Sequence, residues 1–234
     1  MVKKMFSLVS VFSFLLLMSA CSDGAEPMSA TVAQPAVSSA VQSQAADSAS
    51  SGERFIRIAQ QVRTANPDKI EIVEVFWYGC SHCFDFEPML EVWKKQLPAD
   101  VDFKRSPAMW NDLMVVHAKA YFTAEALGVL DKIHKQIFKA INVDRNMLRD
   151  ADALATLFTT YTDVDEETFR KTFDSFGVNS QVKQADARAR SYGIAGTPEL
   201  IVNGKYRVTG RSAGGRSEVI KVAEALIAQE RAAK

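Results

Sequence analysis

"VEVFWYGCSHCFDFEP", residues Val73 to Pro88, decides how the rest of the chain is read. The β-branched and aromatic run from Ile70 to Trp77 reads as a strand that starts just past the turn-like Asn66-Pro67-Asp68. After Gly79 the spacing becomes helical, with Phe84, Met89, Leu90 and Trp93 apolar and an end near Leu97-Pro98. Pro88 falls inside this helix and is expected to kink it. Cys80 and Cys83 therefore lie where a strand runs into a helix. The chain has 3 cysteines in all, and the remaining one is Cys21.

Outward from this junction, Val101 to Arg105 alternates like a second strand, so strand, helix and strand form a right-handed crossover unit. A helical stretch follows from about Leu113 to Ser191, with apolar residues recurring at three and four: Val116, Ala120, Ala124, Leu127, then Ile133, Ile137, Ile141. Strand returns in "GTPELIVNGKY", where Asn203-Gly204 between two apolar runs signals a hairpin. Ser217 to Ala232 is a closing helix with Val219, Val222, Ala223, Leu226 and Ile227 on one face, and Ser217 is read as its N-cap. The class is α/β: a core interrupted by an all-helical block.

Three chemistries use a Cys-x-x-Cys pair. A structural zinc site needs about four ligands. Here a second pair is missing, and His117 and His134 lie in amphipathic helices at no ligating spacing. A structural disulfide closing so short a loop removes little entropy from the unfolded chain. A redox dithiol fits best. Cys80 at a helix N-terminus meets unpaired N–H groups and the positive end of the macrodipole, both of which favour thiolate. Each unit of pKa depression is worth about 1.4 kcal/mol of thiolate stabilisation. A stabilised thiolate is a good leaving group, and it makes the disulfide an oxidant of others. Cys83, deeper in the helix, is then the resolving thiol.

The ends of the chain speak to location. Lys3 and Lys4 precede an apolar and small-residue run from Met5 to Met18, too short for the roughly 20 residues of a spanning helix. It has the form of a secretory signal over residues 1–20. Met18-Ser19-Ala20-Cys21 resembles a bacterial lipobox, which implies lipidation of Cys21 and membrane anchoring in the periplasm. A lipidated Cys21 also leaves only the pair as thiols in an oxidising compartment. Residues 21–52 are rich in Ser, Ala, Gln and Val, without aromatics, and predict a disordered tether spanning about 30 Å as a coil. Lys plus Arg and Asp plus Glu are 28 each, so the net charge of +0 speaks against nucleic-acid binding.

Taken together, "EVFWYGCSHCFDFEP", the helical block and "GTPELIVNGKY" resemble the thioredoxin-fold oxidases of the DsbA family over the whole folded part. The resemblance implies a thioredoxin-like core in two parts, 53–111 and 193–234, around a helical insertion at 112–192. It implies that Cys80 is the nucleophile, Cys83 the resolving cysteine and His82 a donor that stabilises the thiolate. It further implies a cis bond at Pro198 facing the dithiol, leaving the backbone of Thr197 free to pair with an extended substrate. Glu74 matches an acid that exchanges protons with the thiols, the alternative being a solvent-facing strand residue; Glu87 resembles a second acid. Trp77 and Tyr78 read as packing. Ser81 stands where the best-known members have Pro. The function implied is disulfide donation to exported proteins by a monomer without cofactor or metal, reoxidised by a DsbB-type membrane oxidase. A reductase or isomerase, and a tethered binding module with a passive bridge, are the alternatives.

Overall fold

A computed structural model describes residues 52–234. The expected signal, the lipidated Cys21 and nearly all of the tether lie outside the described residues.

The sheet is organised by one strand. In β2 (Ile70–Phe76) every residue is buried, Glu71 and Glu74 included, because both faces of the strand are covered. It pairs in parallel with β3 (Val101–Pro107) and antiparallel with β4 (Glu199–Val202). The hairpin continues into β5 (Tyr206–Thr209), which is edged by the two-residue β1 (Ile56–Arg57), giving the order β1-β5-β4-β2-β3. β1 escaped the sequence reading because two residues carry no period. Asn203 and Gly204 both adopt positive φ, 50° and 64°, and Lys205 N–H donates to the Val202 carbonyl at 2.9 Å, so the expected hairpin turn is present.

Alternate residues of the sheet serve two cores. Ile70, Ile72, Leu200 and Val202 pack with Leu90 and Trp93 of α1 (Ser81–Lys94) and with Val219, Ala223 and Leu226 of α8 (Arg216–Ala232). Val73, Val75 and Ile201 face the helical block. That block is five helices: α2 (Asp112–Ala126), α3 (Leu130–Asn142), α4 (Ala151–Tyr161), α5 (Glu166–Phe173) and α6 (Phe176–Tyr192). Side-chain caps divide it. Asn111, Asp150, Asp165 and Ser175 each accept a hydrogen bond from the backbone N–H three residues on, opening α2, α4, α5 and α6. Gly193, at φ 68°, closes α6 in the left-handed region. α1 runs unbroken through Pro88.

One expected cap is corrected. Ser217 lies in the first turn of α8, whose N-cap is Gly215 at φ 143°, and Glu218 N–H already reaches the Gly215 carbonyl at 3.1 Å. The helix starts two residues early because the preceding short helix α7 (Gly210–Ala213), opened by a capping box between Thr209 and Ser212 and closed by Gly214 at φ 82°, delivers the chain there.

Gly204 also touches the chain near its start: Val62 N–H donates to the Gly204 carbonyl at 2.9 Å, and a Cβ on Gly204 would sit 2.0 Å from the Val62 carbonyl oxygen. Gly204→Ala is expected to cost about 1–3 kcal/mol of stability, read as a lower urea midpoint with little change in slope, since backbone must move at a positive φ. An unchanged midpoint would mean that the Val62 segment is not held against the turn.

Candidate active site

α1 begins on a sulfur atom. Cys80 is its N-cap, in extended conformation, and its Sγ accepts the Cys83 backbone N–H at 3.4 Å where an oxygen usually would. Cys80 N–H is tied back to the Trp77 carbonyl at 3.0 Å, closing the turn from β2. Both cysteines are free thiols, Cys80 half-buried and Cys83 fully buried. Across from them the Thr197–Pro198 peptide is cis, and the Thr197 carbonyl lies 3.4 Å from Cys80 Sγ.

The proton affinities of the two neighbouring thiols are driven in opposite directions. The Cys80 thiol is lowered from 9.0 to about 5, first by the hydrogen bond from the Cys83 side chain, then by the side chain of Thr197 and the backbone N–H groups of Cys83 and His82, against the opposing effect of burial. The Cys83 thiol is pushed up, chiefly by burial and then by the neighbouring Cys80. His82 contributes its backbone; its ring is exposed on the rim of a groove of about 730 Å³ that runs past Thr197 and Pro198 to Arg211 and Arg216. Among the described residues the Ser81 hydroxyl makes no hydrogen bond to either sulfur.

Beneath the dithiol lies a buried charge cluster. Glu74 is 0% exposed, so it is not the solvent-facing strand residue. Its strand partner Arg105 donates to Glu74 Oε2 at 2.8 Å, to Glu87 Oε2 at 3.0 Å and to Glu91 Oε1 at 2.7 Å. One guanidinium cannot balance three carboxylates; Lys94, 3.3 Å from Glu91, adds a second cation, and one of the three keeps a proton. Glu74 is that group: burial, then Glu87, push it up to about 8 in spite of Arg105. Arg105 was not anticipated from the sequence, although its place directly opposite Glu74 is the signal that would have found it.

Two histidines fasten the site to the helical block. Trp77 Nε1–H donates to His117 Nδ1 at 3.0 Å, so the opposite nitrogen carries the proton and donates to the Met147 carbonyl at 2.9 Å. Burial lowers the pKa of His117, in keeping with this neutral form. The Trp77 ring lies so close over Gly79 that an added Cβ would be 2.3 Å from it. His134 Nδ1 meets the Tyr78 hydroxyl at 2.7 Å, and its Nε2 is 3.4 Å from Glu87. Trp77 and Tyr78 thus pack, as read, but each also anchors a histidine. A further buried carboxylate, Glu199, holds the loop before Pro198 and was missed because it follows the proline inside a strand.

A parallel–antiparallel sheet that presents a reactive dithiol on a helix start, opposite a cis-proline loop, defines a thiol:disulfide oxidoreductase of the thioredoxin fold. The model of the DSBA-like thioredoxin domain matches residues 89–214. The chain is 42% identical over 183 residues to the thiol:disulfide interchange protein DsbA of Azotobacter vinelandii, covering 78% of this chain and 85% of that one. It is 40% identical over 188 residues to DsbA of Pseudomonas aeruginosa, covering 80% and 89%. The crystal structure of Pseudomonas aeruginosa DsbA superimposes with a TM-score of 0.75 at 39% identity, over 80% of this chain and 97% of that one. DsbA of Xylella fastidiosa gives 0.72 at 32% identity, over 78% and 97%. The chain belongs to the DsbA family.

The sign of the pH dependence follows from Cys80. Its folded pKa lies below its unfolded one, so the reduced protein is stabilised fully above the unfolded value of 9.0, and that stability is lost as pH falls through about 5. The disulfide has no thiolate and gains nothing. Between these limits, reduction by glutathione releases one proton, and its equilibrium constant is expected to rise about tenfold per pH unit and to flatten below the Cys80 midpoint. Tryptophan fluorescence in glutathione buffers measures it; a flat profile from pH 5 to 8 would overturn the assignment of a low Cys80 pKa.

Proposed function

We propose that this enzyme oxidises dithiols in exported proteins, with Cys80 as nucleophilic sulfur and Cys83 as resolving thiol. The observation that carries the reading is the opposed state of the two sulfurs, next to His82 and Thr197, which line an open groove: Cys80 favours the anion and Cys83 keeps its proton.

In the oxidised enzyme a substrate thiolate attacks Cys80 Sγ. The Cys80–Cys83 bond breaks, its electron pair leaves on Cys83, and a proton must reach that buried sulfur. Glu74, protonated up to about pH 8, is the donor we assign. A second substrate thiolate then attacks the substrate sulfur of the mixed disulfide, and Cys80 leaves as the stabilised thiolate. Two electrons pass from substrate to enzyme. Thr197 N–H has no protein partner among the described residues, so an extended substrate strand can pair with it beside Pro198. His82 lies at the groove rim, where its ring meets incoming substrate rather than the resting sulfur.

The finer parts of the reading rest on the sequence and the family resemblance. Residues 1–20 act as a signal, Cys21 carries the lipid, and residues 21–52 hold the enzyme off a membrane surface in the periplasm. The helical block 112–192 is an insertion in a core formed by 53–111 and 193–234. A DsbB-type membrane oxidase takes the two electrons from a monomeric enzyme.

Oxidation of a reduced dithiol peptide by the full chain, followed by thiol titration, tests the chemistry. Cys80→Ser is expected to abolish turnover, and Cys83→Ser to accumulate peptide–enzyme mixed disulfide on Cys80. Turnover at the wild-type rate by Cys80→Ser would sink the reading. For the anchor, Cys21→Ser is expected to shift the protein from the membrane to the soluble fraction; an unchanged distribution would remove the lipid.

A further inference from the structure

We infer that Glu199, clamped by Arg207, is a positioning residue that sets the Thr197–Pro198 loop against Cys80 and so governs how substrate docks. This rests on the oxidoreductase reading of the same site.

Glu199 is the first residue of β4, 3% exposed, and paired with Val75 of β2 on one side and Thr209 of β5 on the other. Its carboxylate turns back over the loop that leads into the strand. Oε1 accepts Ala195 N–H at 3.2 Å and Gly196 N–H at 3.1 Å. Arg207, diagonally across the hairpin, donates Nε to Oε2 at 2.8 Å and Nη2 to Oε1 at 3.1 Å, a two-point grip on a planar acceptor. Four hydrogen bonds therefore fix a side chain that itself fixes two consecutive loop amides. The next residue, Thr197, places its carbonyl 3.4 Å from Cys80 Sγ, and its own N–H is left without a protein partner among the described residues.

Stability alone does not call for this arrangement. A buried ion pair loses its hydration, and an apolar pair of similar size commonly serves a core as well or better. An apolar side chain cannot receive the two loop amides. The carboxylate supplies their acceptor, and the arginine holds that acceptor in one place. Because the clamp reaches only Ala195 and Gly196, it orients the residue that follows while leaving that residue's backbone to the substrate.

The test compares Glu199→Leu and Glu199→Gln with Glu230→Gln in the full chain. Glu230 is a matched control: it is 4% exposed and bonded to Lys205 Nζ at 2.7 Å at the other end of the same hairpin. Two quantities are read: KM and kcat for oxidation of a reduced dithiol peptide, and the 240 nm absorbance midpoint of the Cys80 thiolate, which needs no turnover. Glu199→Leu is expected to raise KM about tenfold, roughly the loss of one backbone hydrogen bond between Thr197 and the docked substrate, with kcat within about twofold. Its thiolate midpoint is expected to move upward as the Thr197 side chain, whose hydrogen bond lowers the Cys80 pKa, leaves the sulfur. Glu199→Gln, which keeps an acceptor for the two amides but not the charge that grips Arg207, is expected to fall between Leu and wild type. Glu230→Gln is expected to leave both quantities unchanged.

If Glu199→Leu fails to fold, the glutamine variant and amide exchange at Ala195 and Gly196 decide. Faster exchange together with raised KM supports the clamp, and unchanged exchange or KM overturns it. Wild-type KM and midpoint in Glu199→Leu, or an equal rise in Glu230→Gln, also overturns it. Failure of the wild-type chain to oxidise the peptide would remove the oxidoreductase reading instead, and the thiolate midpoint would still judge the clamp.

Discussion

The structure depends on a helix that begins on a sulfur. The first N–H groups of any helix lack intrahelical partners, and a side-chain oxygen usually meets them. Here Cys80 Sγ fills that role, so the positive end of α1 acts on an atom that can gain or lose a bond. Every element around it keeps this meeting in place. β2 is buried along its whole length, the Trp77–Cys80 turn fixes where the helix starts, and the Pro198 loop closes the opposite side.

The helical block takes part in the same arrangement. Tyr78 and Trp77, the two aromatic residues before the dithiol, are each bonded to a histidine on a block helix, and His134 leads on to the carboxylates around Arg105. Asn142, at the end of α3, donates to the Tyr78 carbonyl at 2.8 Å. The block therefore holds the strand–helix turn from above while α1 and α8 support it from below. A buried histidine in such a place is neutral for a physical reason: burial lowers its affinity for the proton, and its two nitrogens already have defined neighbours.

Much of this was legible in the sequence because the relevant physics is local. The strand into α1, the dithiol, the Asn203-Gly204 hairpin and the closing helix all announce themselves by period or by turn chemistry. The division of the helical block is present too, in Asn111, Asp150, Asp165 and Ser175, but such residues are also common on helix surfaces, so the caps do not stand out from the apolar period around them. The residues that were missed act at long range. Arg105 and Glu74 meet only when two strands pair, and Glu199 and Arg207 only across a hairpin. Ser217 was misassigned because the true cap is a glycine at a backbone angle that serine rarely adopts, and no side chain marks it.

The edges of the sheet have a consequence of their own. On the proposed reading the clients of this enzyme arrive unfolded, with unsatisfied backbone looking for a strand to join. An open edge would capture them nonspecifically. β1 offers only Ile56 and Arg57, a length that cannot template a lasting partner. At the other edge β3 carries Asp102, Lys104 and Arg105 in succession around Phe103, with α2 and α6 packed beside it. The molecule can thus handle sticky chains at one place, the loop beside Cys80, and let them go once their thiols have been joined.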